Sequence, residues 1–276
     1  MTGPQSNSKL NQPDSSAWEV PEHLMQPLWL RGQESLVNDG LLYDPIAASA
    51  CRRCHYSPDC DMAALKQQQL LTASLTSLCD QRIADFLHQH ADGWVINVGA
   101  RLDTRFYRLD NGRCHWLELD ISSNLLWREK LFHPSERYQQ ICGSVDDFSW
   151  LEQVTIPDNA AVMIVCETAL LECDIQQVRQ FIQTLGRDFV HASACLVLAG
   201  DLANKPIGRK LGTSHYAHGV SDPVQTVLDC LPWARAVSCF APFDRDCRRL
   251  AWWQRWATKF PALKYRLTPV LVQLNW

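Results

Sequence analysis

The residues best suited to chemistry lie in two short segments about twenty positions apart. In the first, Asn97-Val98-Gly99, an apolar run ends on a glycine, and in the second, Glu118-Leu119-Asp120, another run ends on a carboxylate. A glycine at a strand exit lets the backbone approach a ligand, and a carboxylate accepts hydrogen bonds from both hydroxyls of a ribose. This layout is typical of a nucleotide-binding α/β unit.

The glycine pattern narrows the choice of ligand. No Gly-x-Gly-x-x-Gly sequence follows the first run, so the turn that cradles a dinucleotide pyrophosphate lacks its second and third glycines. An adenosine without phosphates fits better. The alternative is that Gly99 and Asp120 bind no ligand. Polar residues end the strands of any α/β sheet, so these two residues would then have a structural role alone.

Short apolar runs alternate with helical stretches and predict the elements that hold these segments. The predicted strands are 94–99, 115–120, 138–145, 161–167 and 194–200. Repetition of strand and helix in this way predicts a parallel sheet covered by helices on both faces. Residues 261–276 alternate like two paired strands or one long antiparallel edge strand, and residues 231–247 are expected to lead into them.

Composition divides the chain into three parts. Residues 1–20 are polar and rich in Ser, Asn, Gln, Gly and Pro, which predicts a disordered tail. Residues 21–92 are expected to be helical, with Asp61 capping a long helix. Residues 93–276 are expected to form the α/β core.

Charge and hydropathy exclude several classes of partner. The 276 residues carry a net charge of −4, which gives no overall field to attract nucleic acid or anionic lipid. No apolar stretch approaches the roughly 20 residues that span a bilayer. We therefore expect no nucleic-acid or membrane partner. The polar N-terminus lacks the pattern of a secretory signal, so we expect a cytoplasmic protein whose 12 cysteines are thiols.

The segment 97–106, Asn-Val-Gly-Ala-Arg-Leu-Asp-Thr-Arg-Phe, resembles a signature of the leucine carboxyl methyltransferase family, Asn-Leu-Gly-x-Gly-Leu-Asp-Thr-Arg-Phe. Further stretches resemble motifs of this family in the same order: 31–35 with 42–45, 116–120, 144–150 and 165–171. The resemblance covers roughly residues 28–200 and is closest to the bacterial branch, which includes carboxyl O-methyltransferases of polyketide biosynthesis.

This resemblance implies a class I S-adenosylmethionine-dependent methyltransferase fold, a Rossmann-like α/β sheet of seven mostly parallel strands with an N-terminal helical lid. The cofactor would be S-adenosyl-L-methionine. Six residues are then expected to contact it: Arg31 from the lid, Gly99 at the methionyl part, Asp120 at the ribose diol, Ser144 and Val145 beside the adenine, and Glu167 at the amino group.

The implied reaction is methyl esterification of a small carboxylic acid. A carboxylate is ionised at pH 7 and is already a nucleophile, so it needs placement and no general base. We therefore assign no catalytic residue. Arg105, Arg101 or His215 could hold the acceptor carboxylate, although Arg105 could equally form a structural ion pair with Asp103 or Asp120. A hydroxyl acceptor would instead require a base such as His215 or Glu172.

Three departures from the family pattern surround the predicted pocket. Arg101 stands where the family has its second glycine, and residues 71–77 lack the arginine that usually binds the cofactor carboxylate, a charge that Arg101 could supply from the other side. Thr168 and Glu172 also alter the strand-four motif. The alternative function is therefore a catalytically inactive relative that binds another ligand or a partner protein.

Two further patterns have plainer interpretations. Cys51-Arg52-Arg53-Cys54-His55, with Cys60 nearby, matches a c-type haem attachment sequence and the start of a zinc site. Haem attachment requires export, and no second C-x-x-C is present, so we expect no metal. Trp252, Trp253 and Trp256 recur at helical spacing and are expected in the core or an interface.

Overall fold

The structure is a computed structural model. It describes residues 20–244, 248–257 and 259–276, apart from His55, Ser57, Asp59 and Cys60. The expected tail over residues 1–20 therefore lies outside the described residues except for Val20.

A single sheet of seven strands organises the described residues. The strands are β1 Trp94–Val98, β2 His115–Asp120, β3 Tyr138–Cys142, β4 Val162–Cys166, β5 Ser193–Ala199, β6 Arg235–Phe240 and β7 Pro269–Asn275. Their order across the sheet is β3-β2-β1-β4-β5-β7-β6. The first five strands are parallel, and β7 pairs antiparallel with both β5 and β6.

Helices precede the sheet and connect its strands. They are α1 Glu22–Glu34, α2 Pro45–Cys54, α3 Met62–Gln89, α4 Arg105–Leu109, α5 Ser122–Leu131, α6 Ile175–Asp188, α7 Pro206–Arg209, α8 Pro223–Cys230, α9 Trp252–Ala257 and α10 Pro261–Lys264. Two 3-10 helices, Phe148–Gln153 and Ala169–Glu172, follow β3 and β4. The chain therefore alternates between strand and helix through its central part, as the sequence predicts.

The inner strands β1, β2, β4, β5 and β7 are buried on both faces, which explains why they are nearly continuous apolar runs. Successive residues of a strand point to opposite faces. Val95 and Trp116 accordingly pack with α3 in one apolar cluster, and Ile96 and Leu117 pack with α6 in a second. The parallel strands end at one common edge, where polar residues of the strand ends and of the following loops lie close together.

The long helix α3 begins where the sequence predicts. The Asp61 side chain accepts hydrogen bonds from the backbone N–H groups of Ala63 and Ala64, at 3.2 and 3.3 Å, and so caps the helix. Along its buried face α3 carries polar residues, Thr76 and Asp80, among the leucines. These two side chains reach the edge of the sheet where the strands end.

The sequence prediction was wrong about the far side of the sheet. Residues 231–247 contain strand β6, which the sequence did not predict, and β6 is the edge strand. The C-terminal strand β7 lies inside the sheet, between β5 and β6. Trp253 packs against the core, whereas Trp252 and Trp256 are 80% and 65% exposed, and for these two an interface stays a prediction. Strand β3 ends at Cys142, which leaves residues 143–145 in the following loop.

The cysteine-rich segment is described only in part. Cys51 lies near the end of α2, but His55, Asp59 and Cys60 lie outside the described residues, so the metal prediction is not tested. Cys166 and Cys195 are thiols completely buried in strands β4 and β5. Within the described ranges, every helix is too short or too polar to cross a membrane.

His218 joins the end of β5 to the end of the 3-10 helix Ala169–Glu172. Its Nε2 accepts from the Ala199 N–H at 3.0 Å, so Nδ1 carries the proton and donates to the Cys173 carbonyl at 2.9 Å. This arrangement uses the neutral ring, and burial lowers the pKa of His218 below 6.5.

We predict that the contribution of His218 to stability is complete above pH 6.5 and is lost as the pH falls below it, because the unfolded chain then binds the extra proton. Urea unfolding of the wild type and of His218→Gln at pH 7.5 and pH 5.5 measures this. The wild type should lose more stability than the variant on acidification. Equal losses would contradict the assignment.

Candidate functional site

The loop after β1 adopts an unusual backbone conformation. Gly99 has φ +69° and Arg101 has φ +46°, in the left-handed region that glycine tolerates and other residues rarely adopt. A side chain at Gly99 would collide with Ala169, in the 3-10 helix after β4. The glycine is therefore required both by its φ angle and by the close approach of the neighbouring loop.

Asp120 ends β2 beside this loop and holds it. One oxygen of Asp120 accepts from the backbone N–H of Arg101, and the other accepts from the Ile121 N–H at 2.8 Å and from Asn124 Nδ2 at 2.9 Å. Asn124 Oδ1 in turn lies 3.3 Å from His23 Nε2 on α1. Helix α1 therefore reaches across to the strand end that carries the predicted ribose carboxylate.

Arg105 forms ion pairs with three carboxylates from different parts of the chain. Its side chain is 1% exposed, with Nε 2.6 Å from Asp80 Oδ1 and Nη1 2.5 Å from Asp103 Oδ2. Nη2 pairs with Glu167, whose other oxygen accepts from Thr76 Oγ1 at 2.7 Å. Arg105 thereby ties α3, the loop after β1 and the end of β4 together.

Further ion pairs connect this group to the N-terminal helices. Arg108 lies 2.8 Å from Asp80 and 2.7 Å from Asp44, and Arg31 lies 3.4 Å from Asp44. Arg31 also donates to the Leu102 carbonyl at 2.9 Å. We refer to the group as the buried charge cluster; its members are Arg31, Asp44, Asp80, Asp103, Arg105, Arg108 and Glu167.

The electrostatics of the cluster favour the ionised forms of Asp103 and Arg105. Burial disfavours the charged form of Asp103, but Arg105 and Arg31 outweigh this effect and hold the pKa of Asp103 well below its usual range. Burial also opposes the charge of Arg105, and the carboxylates of Asp103 and Glu167 outweigh it, so the pKa of Arg105 lies above its ordinary value. The cluster has three guanidinium groups and four carboxylates, a formal surplus of one negative charge.

A second buried pair, Arg128 and Glu118, supports the loop after β1. Arg128 on α5 donates to the Arg101 carbonyl at 2.6 Å, and its Nη2 lies 2.9 Å from Glu118 Oε1 without forming a hydrogen bond. Asn97 Nδ2 donates to the other Glu118 oxygen at 2.8 Å. Burial raises the pKa of Glu118 to about 7, although Arg128 acts in the opposite direction.

Two cavities meet at the edge of the sheet. The smaller, about 30 Å³, is lined by three of the predicted cofactor residues, Arg31, Gly99 and Glu167, and also by Arg101. The larger cavity, about 290 Å³, lies between α1, α3 and the loops after β4 and β5, and His215 is among its lining residues. Arg101 and Glu167 line both cavities and form part of the wall between them.

The remaining predicted residues lie outside both cavities. Asp120 is 5% exposed and is held by its own neighbours, as described above. Ser144 donates to Asp146 at 2.5 Å in the loop after β3, and Val145 beside it is buried. Of the six predicted residues, Arg31, Gly99 and Glu167 therefore line one cavity together, whereas Asp120, Ser144 and Val145 line neither cavity.

The sequence left two roles open for Arg105, acceptor binding or a structural ion pair, and it did not single out Asp80. Of the two ion pairs considered for Arg105, the structure shows the pair with Asp103, and Asp120 bonds to Arg101 instead. Arg105 would have to separate buried ion pairs to hold an acceptor carboxylate. Asp80 interrupts the apolar face of α3 between Leu78 and Ile83, and a carboxylate on such a face is a signal that could have been used.

Comparison with known proteins identifies one curated relative and supports the fold. The chain is 28% identical over 149 residues to the tetracenomycin polyketide synthesis O-methyltransferase TcmP of Streptomyces glaucescens. The match covers 54% of each protein, so the chain spans about half the length of this curated relative. A crystal structure from Thermobifida fusca described as a methyltransferase superposes with a TM-score of 0.56 at 10% identity, covering 94% of this chain and 99% of that one. The chain matches no protein-family model.

The chain has the class I methyltransferase fold. The strand order and the single antiparallel strand of the described sheet agree with the whole-length superposition on the Thermobifida structure. This confirms the predicted fold class. At 10% identity the superposition establishes the fold alone.

We predict that Arg105→Gln destabilises the protein by about 3–5 kcal/mol, because it leaves three carboxylates buried beside a neutral side chain. Urea unfolding measures the change. Arg187→Gln is the matched control, since Arg187 is 72% exposed and should change stability by less than about 0.5 kcal/mol. A loss below about 1 kcal/mol for Arg105→Gln would show that the cluster is not required for folding.

Glu118 gives a pH dependence opposite in sign to that of His218. Because its pKa is raised in the folded state, its contribution to stability is complete below pH 4.5 and is lost as the pH rises towards 7. The stability of the wild type relative to Glu118→Gln should therefore fall between these pH values, by up to about 3 kcal/mol. Urea unfolding of both proteins at pH 4.5, 5.5 and 7 tests this, and a constant difference would contradict it.

Proposed function

We propose that the protein is an S-adenosylmethionine-dependent O-methyltransferase that esterifies the carboxylate of a small acid. The observation that carries the proposal is the position of Asp120. Its carboxylate ends β2 in a class I methyltransferase fold, next to a left-handed loop after β1. The similarity to the O-methyltransferase TcmP supports the reaction type, and the motif resemblance to the leucine carboxyl methyltransferase family supports a carboxylate acceptor and a role in the synthesis of polyketide-like metabolites.

The residues present fit the proposed cofactor by their chemistry. Asp120 accepts three hydrogen bonds and retains capacity for a ribose hydroxyl. Gly99 provides backbone without a side chain, and Glu167 offers a carboxylate that would face the cofactor's amino group. Arg31 would belong to the lid, and Ser144 with Val145 would border the adenine. When bound, the cofactor supplies an electrophilic methyl group on a sulfonium.

The larger cavity is the proposed site of the acceptor. Its volume of about 290 Å³ is at the lower end of the range for small-molecule pockets. Apolar side chains of Leu30, Leu71, Leu75 and Leu171 line it together with the hydroxyl-bearing Thr72, Ser214 and Tyr216. Such a lining would hold an apolar body while a few polar groups fix its orientation. An ionised acid bound there needs no base, because its carboxylate is already the nucleophile.

A hydroxyl acceptor is the alternative substrate. His215 lines the larger cavity and is a candidate base, whereas Glu172 is already paired with Arg101. Methyl esters and methyl ethers differ in stability towards alkali. Release of the transferred methyl group as methanol at high pH would therefore identify a carboxylate acceptor, and an alkali-stable product would identify a hydroxyl.

One observation favours a second candidate function, a methyltransferase fold without catalysis. The smaller cavity, around Gly99, is only about 30 Å³, and buried ion pairs of the chain itself lie beside it. An inactive relative would keep this region filled and would bind another ligand or a partner protein. The two functions differ in whether the cofactor binds at all.

We predict micromolar binding of S-adenosylhomocysteine to the wild type, measured by calorimetric titration. Asp120→Ala should weaken it by about 100-fold or more, because the ribose hydroxyls lose their charged acceptor. Asp188→Ala is the matched control, since Asp188 lies at the exposed end of α6, and it should leave the affinity unchanged. Absence of binding to the wild type would favour the non-catalytic function.

A further inference from the structure

Arg101 differs from the other arginines around the two cavities. Three arginines line the smaller cavity, and two of them, Arg31 and Arg105, belong to the buried charge cluster. The cluster has more carboxylates than guanidinium groups, so it has no positive charge to offer a further anion. Arg101 lies outside the cluster and lines both cavities.

Among the carboxylates that the structure describes, the Arg101 guanidinium pairs with one, Glu172, in the 3-10 helix after β4. The Glu172 side chain is 66% exposed and that of Arg101 is 18% exposed. A pair with one member in water is weak, because solvent screens it and competes for the carboxylate. An incoming anion can therefore replace Glu172 at Arg101 far more readily than it can separate the fully buried pairs of Arg105.

The main chain of Arg101 is fixed from two sides. Its N–H donates to Asp120, and its carbonyl accepts from Arg128 at 2.6 Å. The left-handed conformation, with φ +46°, satisfies both contacts while the side chain extends along the wall between the cavities. A non-glycine residue in this conformation is strained, and such strain is typical of positions with a function.

Helix α3 contributes no cation to the cavity wall. The side chains that it places there are Gln68, Leu71, Thr72 and Leu75. A ligand with a carboxylate at this wall therefore has Arg101 as its strongest partner among the described lining residues. Glu167 lines the same two cavities, so a cation and an anion stand near each other, as the zwitterionic end of an amino acid requires.

We propose that Arg101 binds the carboxylate of the amino-acid part of the S-adenosyl ligand, and that Glu172 is its counter-ion until the ligand displaces it. This inference rests on the proposed function. It makes Arg101 a specificity-determining residue, because a ligand with the same adenosine but without the amino acid gains nothing from it. Glu172 then lowers the affinity for the ligand, since it must be displaced.

Two probes that differ only in this part test the proposal. S-adenosylhomocysteine and 5′-methylthioadenosine share the adenosine and the thioether, and only the first has the amino-acid carboxylate. By calorimetric titration, Arg101→Gln should weaken S-adenosylhomocysteine by about 10- to 100-fold, the effect of losing a charge-assisted hydrogen bond, and change 5′-methylthioadenosine by less than about twofold. Glu172→Gln should tighten S-adenosylhomocysteine alone, by about two- to fivefold.

The control variants separate charge from stability. Arg101→Lys should restore part of the preference for S-adenosylhomocysteine, and Arg187→Gln should leave it unchanged. If Arg101→Gln keeps the wild-type ratio of the two affinities, the inference is wrong while the proposed function stands. If the wild type binds neither probe, the proposed function itself is wrong.

Discussion

The burial of Arg105 is the constraint on which the rest of the structure depends. A guanidinium that is 1% exposed is costly unless every donor finds a charged partner, and here the partners come from α3, the loop after β1 and the end of β4. These three elements must therefore meet at one place. Arg108 and Arg31 extend the same requirement to α2 and α1, so the N-terminal helices are held over the strand ends by charge as well as by apolar packing.

A second constraint acts on the loop between β1 and α4. The parallel register places Val98 beside Leu119, and so the loop after β1 lies next to Asp120. Asp120 and Arg128 hold its backbone in a left-handed conformation that brings Gly99 against Ala169. The wall between the two cavities is a consequence of this packing. Its chemistry is decided by the one side chain, Arg101, that the loop directs along it.

These constraints connect the fold to the two candidate functions. The buried charge cluster gives the region a rigid geometry, but it uses the positive charges that a ligand carboxylate would need. Arg101 lies outside the cluster and, within the described residues, pairs with the exposed Glu172, so it provides a positive charge that a ligand can reach. Under the proposed function, the cofactor carboxylate binds Arg101 once Glu172 is displaced from this weak pair. Under the non-catalytic alternative, the pair stays closed and the fold is retained.

The sequence by itself determined the local elements. The apolar runs predicted β1, β2, β4 and β5 closely, the Asp61 cap predicted the start of α3, and the glycine and carboxylate at the strand ends marked the region of the site. Only the tertiary structure decided the position of β7 inside the sheet, the partners of Arg105 and the two cavities. The reason is the separation in sequence between the residues that interact. Periodicity, capping and strand ends depend on neighbours within a few residues, whereas Arg105 and Glu167 are 62 positions apart and Thr76 and Glu167 are 91 apart. Such pairs are selected by how the whole chain packs.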